Sequence, residues 1–211
     1  MVEQKKQNLS DPKVRICVIL LTTIVLGYFL KQRKGDNGAL ALDGYERVLL
    51  RASWTYNYKD VEEVARNSDI IAVVKVISAT PSDKYLQYGV MQTIYTVQVI
   101  DDIYGGIGNE IQIVMTGGVS EEEKKIYEIA DDPLMNIDDE YVIFAKENPD
   151  GSYTALSGFQ GRYAVTDGYV SSLNVSNEQV AAPNAYSDIS VTNIALDDFV
   201  GQVRQYIAFV E

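Results

Sequence analysis

The chain has 211 residues with 30 acidic against 18 basic side chains, one cysteine and no histidine, for a formal charge of −12. Lacking histidine, it cannot run Ser-His-Asp or Cys-His nucleophilic mechanisms or build His-ligated metal sites, and a lone Cys17 rules out disulfide frameworks, Cys-ligated zinc and thiol redox pairs. Residues 35–211 hold 11 basic and 28 acidic side chains, a formal −17, and a surface of that sign repels phosphate backbones, so nucleic-acid binding is excluded.

Residues 14–30 form the first element, a run that is apolar all round and flanked by Lys13, Arg15, Lys31, Arg33 and Lys34. A soluble helix normally keeps a polar face, so the run predicts a transmembrane signal-anchor helix about 25 Å long, with its flanking cations drawn to the headgroups. Ala39-Leu40-Ala41 has the small-x-small form of a signal-peptidase site, but a cationic block separates it from the apolar run, so an uncleaved anchor is expected. The cations flanking the run differ little between its two ends. The 13 residues ahead of the run are too few to fold, which predicts a short cytoplasmic tail at 1–13 and an extracytoplasmic body.

Residues 31–57 read as a juxtamembrane linker that starts with the turn-rich Gly35-Asp36-Asn37-Gly38, and residues 58–211 as the folded domain. Asp60 with Glu63 three residues on predicts an N-capped short helix over 60–66. Residues 69–77 are apolar enough for a central strand, and 93–100 alternate as its partner should, with 80–89 as the loop between them. Further strands are predicted at 110–115, 140–145 and 152–156, the last two joined by the turn Asn148-Pro149-Asp150-Gly151. Residues 162–166 and 169–173 flank Asp167-Gly168, a type I′ hairpin signal. An amphipathic helix is expected over 193–210. Five to eight short strands with glycine-marked corners predict a mainly β fold, a small barrel.

Carboxylates are the only catalytic or metal-ligating candidates. Asp131, Asp132, Asp138, Asp139 and Glu140 fall within ten residues and could offer hard oxygen ligands to calcium. They lack Asp-x-Asp-x-Asp-Gly spacing, and Pro133-Leu134-Met135 between them looks like a core-facing plug, so a solvated acidic loop is expected and no metal or cofactor is assigned. Tyr153, Phe159, Tyr163 and Tyr169 are candidate aromatics for a binding surface, although alternating aromatics in strands more often pack in cores.

Ala65-Arg66-Asn67-Ser68-Asp69-Ile70-Ile71, then Tyr95-Thr96-Val97-Gln98-Val99 running on to Ile103-Tyr104-Gly105-Gly106, then Glu140-Tyr141-Val142-Ile143-Phe144, resemble uncharacterised membrane-anchored surface proteins of Gram-positive bacteria. The same order of elements is similar to netrin-type domains, including the tissue inhibitors of metalloproteinases. The resemblance covers about residues 60–170 and implies an OB-fold-like barrel. It departs at Val74, where such proteins commonly carry glycine, and at Gly105, where lysine is usual. The inhibitors' N-terminal cysteine has no counterpart, so no binding residue carries over, and a shared fold does not by itself confer function.

The reading that follows is a bitopic membrane protein held in the bilayer by residues 14–30, presenting an acidic extracytoplasmic module that binds a protein or glycan at the cell surface. Two alternatives stand beside it: a carboxylate-dependent hydrolase of envelope glycans, which needs two acids facing each other across a cleft, and a structural subunit of an envelope complex.

Overall fold

The computed structural model describes residues 44–82, 91–173 and 189–208. The predicted span at 14–30, the Ala39-Leu40-Ala41 triplet and most of the 80–89 loop lie outside the described residues. Among the described residues no helix is long and apolar enough to cross a membrane.

The chain order is β1 (Glu46–Leu50), α1 (Val61–Arg66), β2 (Ile70–Ser82), β3 (Gln92–Tyr104), β4 (Glu110–Thr116), β5 (Gly118–Ser120), β6 (Lys125–Ile129), β7 (Glu140–Glu147), β8 (Tyr153–Ala155), a 3-10 turn (Gly158–Gly161), β9 (Arg162–Thr166), β10 (Tyr169–Ser172), β11 (Ile194–Ala195) and α2 (Leu196–Ala208). The fold is mainly β. Strands β2, β3, β4, β8 and β7 pair in that order and β7 returns to β2, which closes a five-stranded barrel. All contacts in the ring are antiparallel except β4 with β8, which meet in parallel at Ile113 and Tyr153. Beyond the barrel, β9, β10 and β11 continue the sheet from the other half of β7, and β1, β6 and β5 form a separate three-stranded sheet.

The barrel is built on a strand buried on both faces. In β2, Ile70, Ala72, Val74 and Val76 point into the barrel, whereas Ile71 and Val73 point to a second core beneath the helices. Strand β7 divides likewise, with Tyr141, Ile143 and Ala145 inside and Val142 and Phe144 outside. This explains the lack of polar alternation in 69–77, because a strand covered twice reads as a continuous apolar run. Three register shifts along β2 and β3 bend the pair and re-aim side chains. They leave Ile77 and Ile100 about half exposed, whereas Ile103 is buried in the outer core.

The turn chemistry is as the sequence suggests. Asp60 Oδ1 accepts from the Glu63 N–H at 2.7 Å, and Glu63 reaches back to the Lys59 N–H at 2.9 Å, one residue earlier than in the usual capping box. Asp167 and Gly168 have φ of 51° and 80°, the two positive values a type I′ turn needs. The hairpin β7–β8 closes through Asn148, whose Nδ2 donates to Ser152 Oγ and Thr154 Oγ1, both at 3.0 Å. Gly105, where the resemblance leads one to expect lysine, has φ +117°, and a Cβ there would lie 2.8 Å from Ile70 Cγ2. This corner therefore excludes a side chain.

Several boundaries differ from expectation. Residues 46–50, within the predicted linker, form β1 and pair in parallel with β6 from Glu46–Lys125 to Leu50–Ile129. Strand β1 is short and finds its partner β6 far along the chain, so it carries no local hairpin signal, whereas β5 and β6 pair with each other as a short antiparallel hairpin whose connection, Glu121-Glu122-Glu123-Lys124, holds none of the glycine or asparagine that marks a tight turn. Thr80, Pro81 and Ser82 belong to β2 rather than to the loop. The C-terminal helix starts at Leu196 because Ile194 and Ala195 are drawn into pairing with β10. Phe199, Val200 and Val203 then seat it on the outer core.

Three buried phenols make the fold sensitive to alkali. Burial raises the pKa of Tyr95, Tyr141 and Tyr163 above the unfolded value of about 10. Because the unfolded chain loses these protons first, the stability they support is intact below about pH 10 and is lost as pH rises towards their folded values, at about 1.4 kcal/mol per pH unit for each tyrosine. A denaturant series at pH 9 to 12 is expected to show this fall, with the slope shallower by one proton in Tyr163→Phe.

Candidate functional site

The structure disperses the five acidic candidates. Asp131 Oδ2 accepts from the indole N–H of Trp54 at 3.0 Å. Asp132 is 5% exposed and accepts from Arg162 Nη2 at 2.6 Å, and the same nitrogen also donates to the carbonyl of Pro133. Asp138 sits opposite Lys75 Nζ at 3.5 Å, and Asp139 accepts from Asn136 Nδ2 at 2.9 Å. Glu140 stands in β7 between Lys75 and Val165. Among the described residues no group of three or more acids is placed to hold a metal ion. The reading of this stretch as a solvated acidic loop is thus corrected at Asp132, which forms a buried ion pair. Burial pushes the Asp132 pKa up, against the pull of Arg162. The apolar plug is present: Leu134 and Met135 are buried, and Met135 fills the barrel end.

The four aromatic candidates do not share a surface. Tyr163 is 1% exposed and packs against Phe144 and Phe199 at centroid distances of 5.7 and 5.3 Å. It faces the helices because strand alternation turns it to the outer core, so it offers nothing to a ligand. Tyr153 and Phe159 are half-buried, and Tyr169 is exposed on the β9–β10 hairpin.

A concave site of about 460 Å³ lies elsewhere, between the C-terminal ends of α1 and α2 and the end of β3. It is lined by Ala65, Arg66, Ser68, Tyr104, Arg204, Ile207 and Ala208. Each element supplies its residues for a structural reason. The helix α1 buries Val64 and Ala65 and turns Arg66 outward, and Ser68 ties the chain down by donating to the Val64 carbonyl at 2.8 Å. In α2, Val203 enters the core, whereas Arg204 and Ile207 border the groove. Tyr104 stays about half exposed at the strand end, just before the Gly105 corner.

The two guanidinium groups are braced by acids outside the lining. Arg66 Nη2 meets Glu62 Oε1 at 2.6 Å, and Arg204 Nη2 meets both oxygens of Asp101 at 3.0 and 2.9 Å. One nitrogen of each side chain is thereby fixed, and the rest of each fork is left to the groove. Among the described residues no carboxylate lines this groove. Sequence reasoning did not single out Arg66, Tyr104, Arg204 or Ile207 as site residues, because they come from three separated segments, and the strings that hold Arg66 and Tyr104 carry a resemblance of fold with no binding role attached.

A third polar assembly joins the N-terminal segment to the barrel. The Gln160 amide accepts from the Tyr58 N–H at 3.2 Å and donates to the Tyr58 carbonyl at 3.0 Å, and Ser157 Oγ donates to the Tyr56 carbonyl at 2.6 Å. Trp54 lies across Gly158, where a Cβ would come within 2.4 Å of the indole ring and 2.8 Å of Asp132 Oδ2.

No protein-family model matches the chain, and no curated protein matches it in sequence.

Three variants test the Trp54–Asp132–Arg162 assembly. Asp132→Asn strips a buried guanidinium of its counter-charge and is expected to cost about 3–5 kcal/mol in urea unfolding, whereas Asp132→Leu with Arg162→Met together should recover most of that loss. Gly158→Ala adds a methyl group into the indole at φ +58°. It is expected to destabilise by about 1–3 kcal/mol and to shift the emission of Trp54, the single tryptophan.

Proposed function

We propose that this chain is a single-pass membrane protein of the Gram-positive cell surface, tethered in the bilayer by residues 14–30 with its N-terminus in the cytoplasm, whose acidic extracytoplasmic body is an OB-like binding module. The groove between α1, α2 and β3 carries the binding role. Its volume falls within the range of small-ligand sites, and it sets an apolar wall of Ala65, Tyr104, Ile207 and Ala208 beside two arginines on a body of formal charge −17. Such a lining suits a short peptide segment or a sugar unit, with the Tyr104 ring as the stacking surface and the guanidinium forks as donors. The closed five-stranded ring with one parallel contact supports the OB-like and netrin-like reading, since OB folds are five-stranded Greek-key barrels. Binding is preferred to glycan hydrolysis because, among the described residues, the groove holds no carboxyl group to act as acid, base or nucleophile.

Hydrogen exchange on the full chain tests this reading, comparing native membranes with the purified protein in lipid nanodiscs. The chain is expected to resist alkaline carbonate extraction, its body to be digested by protease added outside protoplasts, and exchange in 62–68, 102–104 and 200–208 to slow in native membranes. Release by carbonate would overturn the tether, and unchanged exchange at all three groove segments would overturn the binding site.

A further inference from the structure

The end of the barrel beneath the 133–135 plug has more hydrogen-bond donors than the protein satisfies. Arg162 is 1% exposed and Tyr95 is fully buried. Arg162 commits Nη2 to Asp132 and Pro133, but its Nε and Nη1, like the Tyr95 hydroxyl, have no hydrogen-bond partner among the described residues. That leaves three N–H bonds of a charged group and one O–H. Such groups are very rarely left dry, because the desolvation cost of several together rivals the whole stability of a small domain.

The neighbours narrow the chemistry of the missing acceptor. The guanidinium carbon lies 5.6 Å from the Tyr141 ring centroid, so one face is covered by an aromatic that accepts no conventional hydrogen bond in that direction. The Met135 amide lies beside the Tyr95 oxygen, but a donor there leaves the phenolic proton unmet. Asp131 and Glu128 lie close enough to Asp132 for their charges to act on it, against Arg162 and the Arg47 that pairs with Glu128 at 3.0 Å. Acidic groups outnumber basic ones, which disfavours a bound anion and favours a neutral acceptor.

We infer that at least one long-lived water is built into this end of the barrel, accepting from Arg162 and Tyr95 and completing the polar cluster that seats the plug. Buried waters of this kind make two to four hydrogen bonds to polar groups that would otherwise go unmet. The site is independent of the groove and of what the groove binds.

Two measurements on the full chain in nanodiscs test the inference. Water-to-protein cross-relaxation is expected to show a direct contact, of the sign given by residence times beyond a nanosecond, at the Arg162 Nε–H. Tyr95→Phe is expected to raise the unfolding equilibrium constant about tenfold, because it removes a hydroxyl the water uses. A dry site predicts the reverse, since deleting an unsatisfied hydroxyl relieves its burial cost. Absence of water contact, or a Tyr95→Phe chain as stable as the parent or more so, overturns the inference. An anomalous peak at Arg162 in crystals soaked in bromide would also overturn it, by making the acceptor an anion.

Discussion

Everything in this domain depends on β2 and β7 being covered on both faces. One face of each closes a barrel whose interior holds Val74, Tyr95, Val97, Ile113 and Ile143, and the other carries the helices through Ile71, Val73, Val142 and Phe144. Apolar burial at about 25 cal/mol per Å² is thus collected twice from the same stretch of backbone. A polar side chain at any of these positions would expose an unmet group to one core or the other.

The groove follows from the same arrangement. The helices α1 and α2 lie on the outer core through Val64, Ala65, Phe199, Val200 and Val203, and the groove that both border lies where β3 ends at Tyr104. Because the apolar faces of both helices are used up against the sheet, the side chains left to border the gap are those at the edge of each stripe: Arg66, Arg204 and Ile207. The opposite end of the barrel is solved differently. There the 131–139 loop inserts Leu134 and Met135, and Arg162 and Asp132 neutralise each other beneath it. The loop also extends the sheet, with Asp138 and Asp139 bonding to both backbone groups of Val76 beyond the last β2–β7 pair. A buried ion pair adds little net stability, but it penalises any other seating of the plug.

How much of this was legible in the sequence depended on whether its cause was local. The alternation of Tyr95 and Val97, the Asp60 cap and the Asp167-Gly168 turn are written within a few residues, and each appears where the sequence places it. Strand β1 is not, because Glu-Arg-Val-Leu-Leu alternates poorly and its partner β6 is remote. Asp132 was legible as an acid but not as a buried one, since its partner Arg162 is 30 residues away on a strand whose own pattern gives no sign of an inward cation. Tyr163 misled in the opposite sense: an aromatic in a short hairpin reads equally well as surface or core, and only the helix above it decides. The groove was illegible because it exists only where three separate segments meet.

The parallel union of β1 with β6 has a mechanical consequence. Five successive residue pairs run in the same direction, from Glu46 beside Lys125 to Leu50 beside Ile129. A pull along the axis of β1 towards its N-terminal end therefore loads that ladder in shear, so that its hydrogen bonds must yield together rather than one at a time. Behind it, the clasp of Gln160 on Tyr58 and of Ser157 on Tyr56 takes up the load before it reaches α1 and the barrel. The domain is thus fastened at its N-terminal side as a lap joint and not as a zipper.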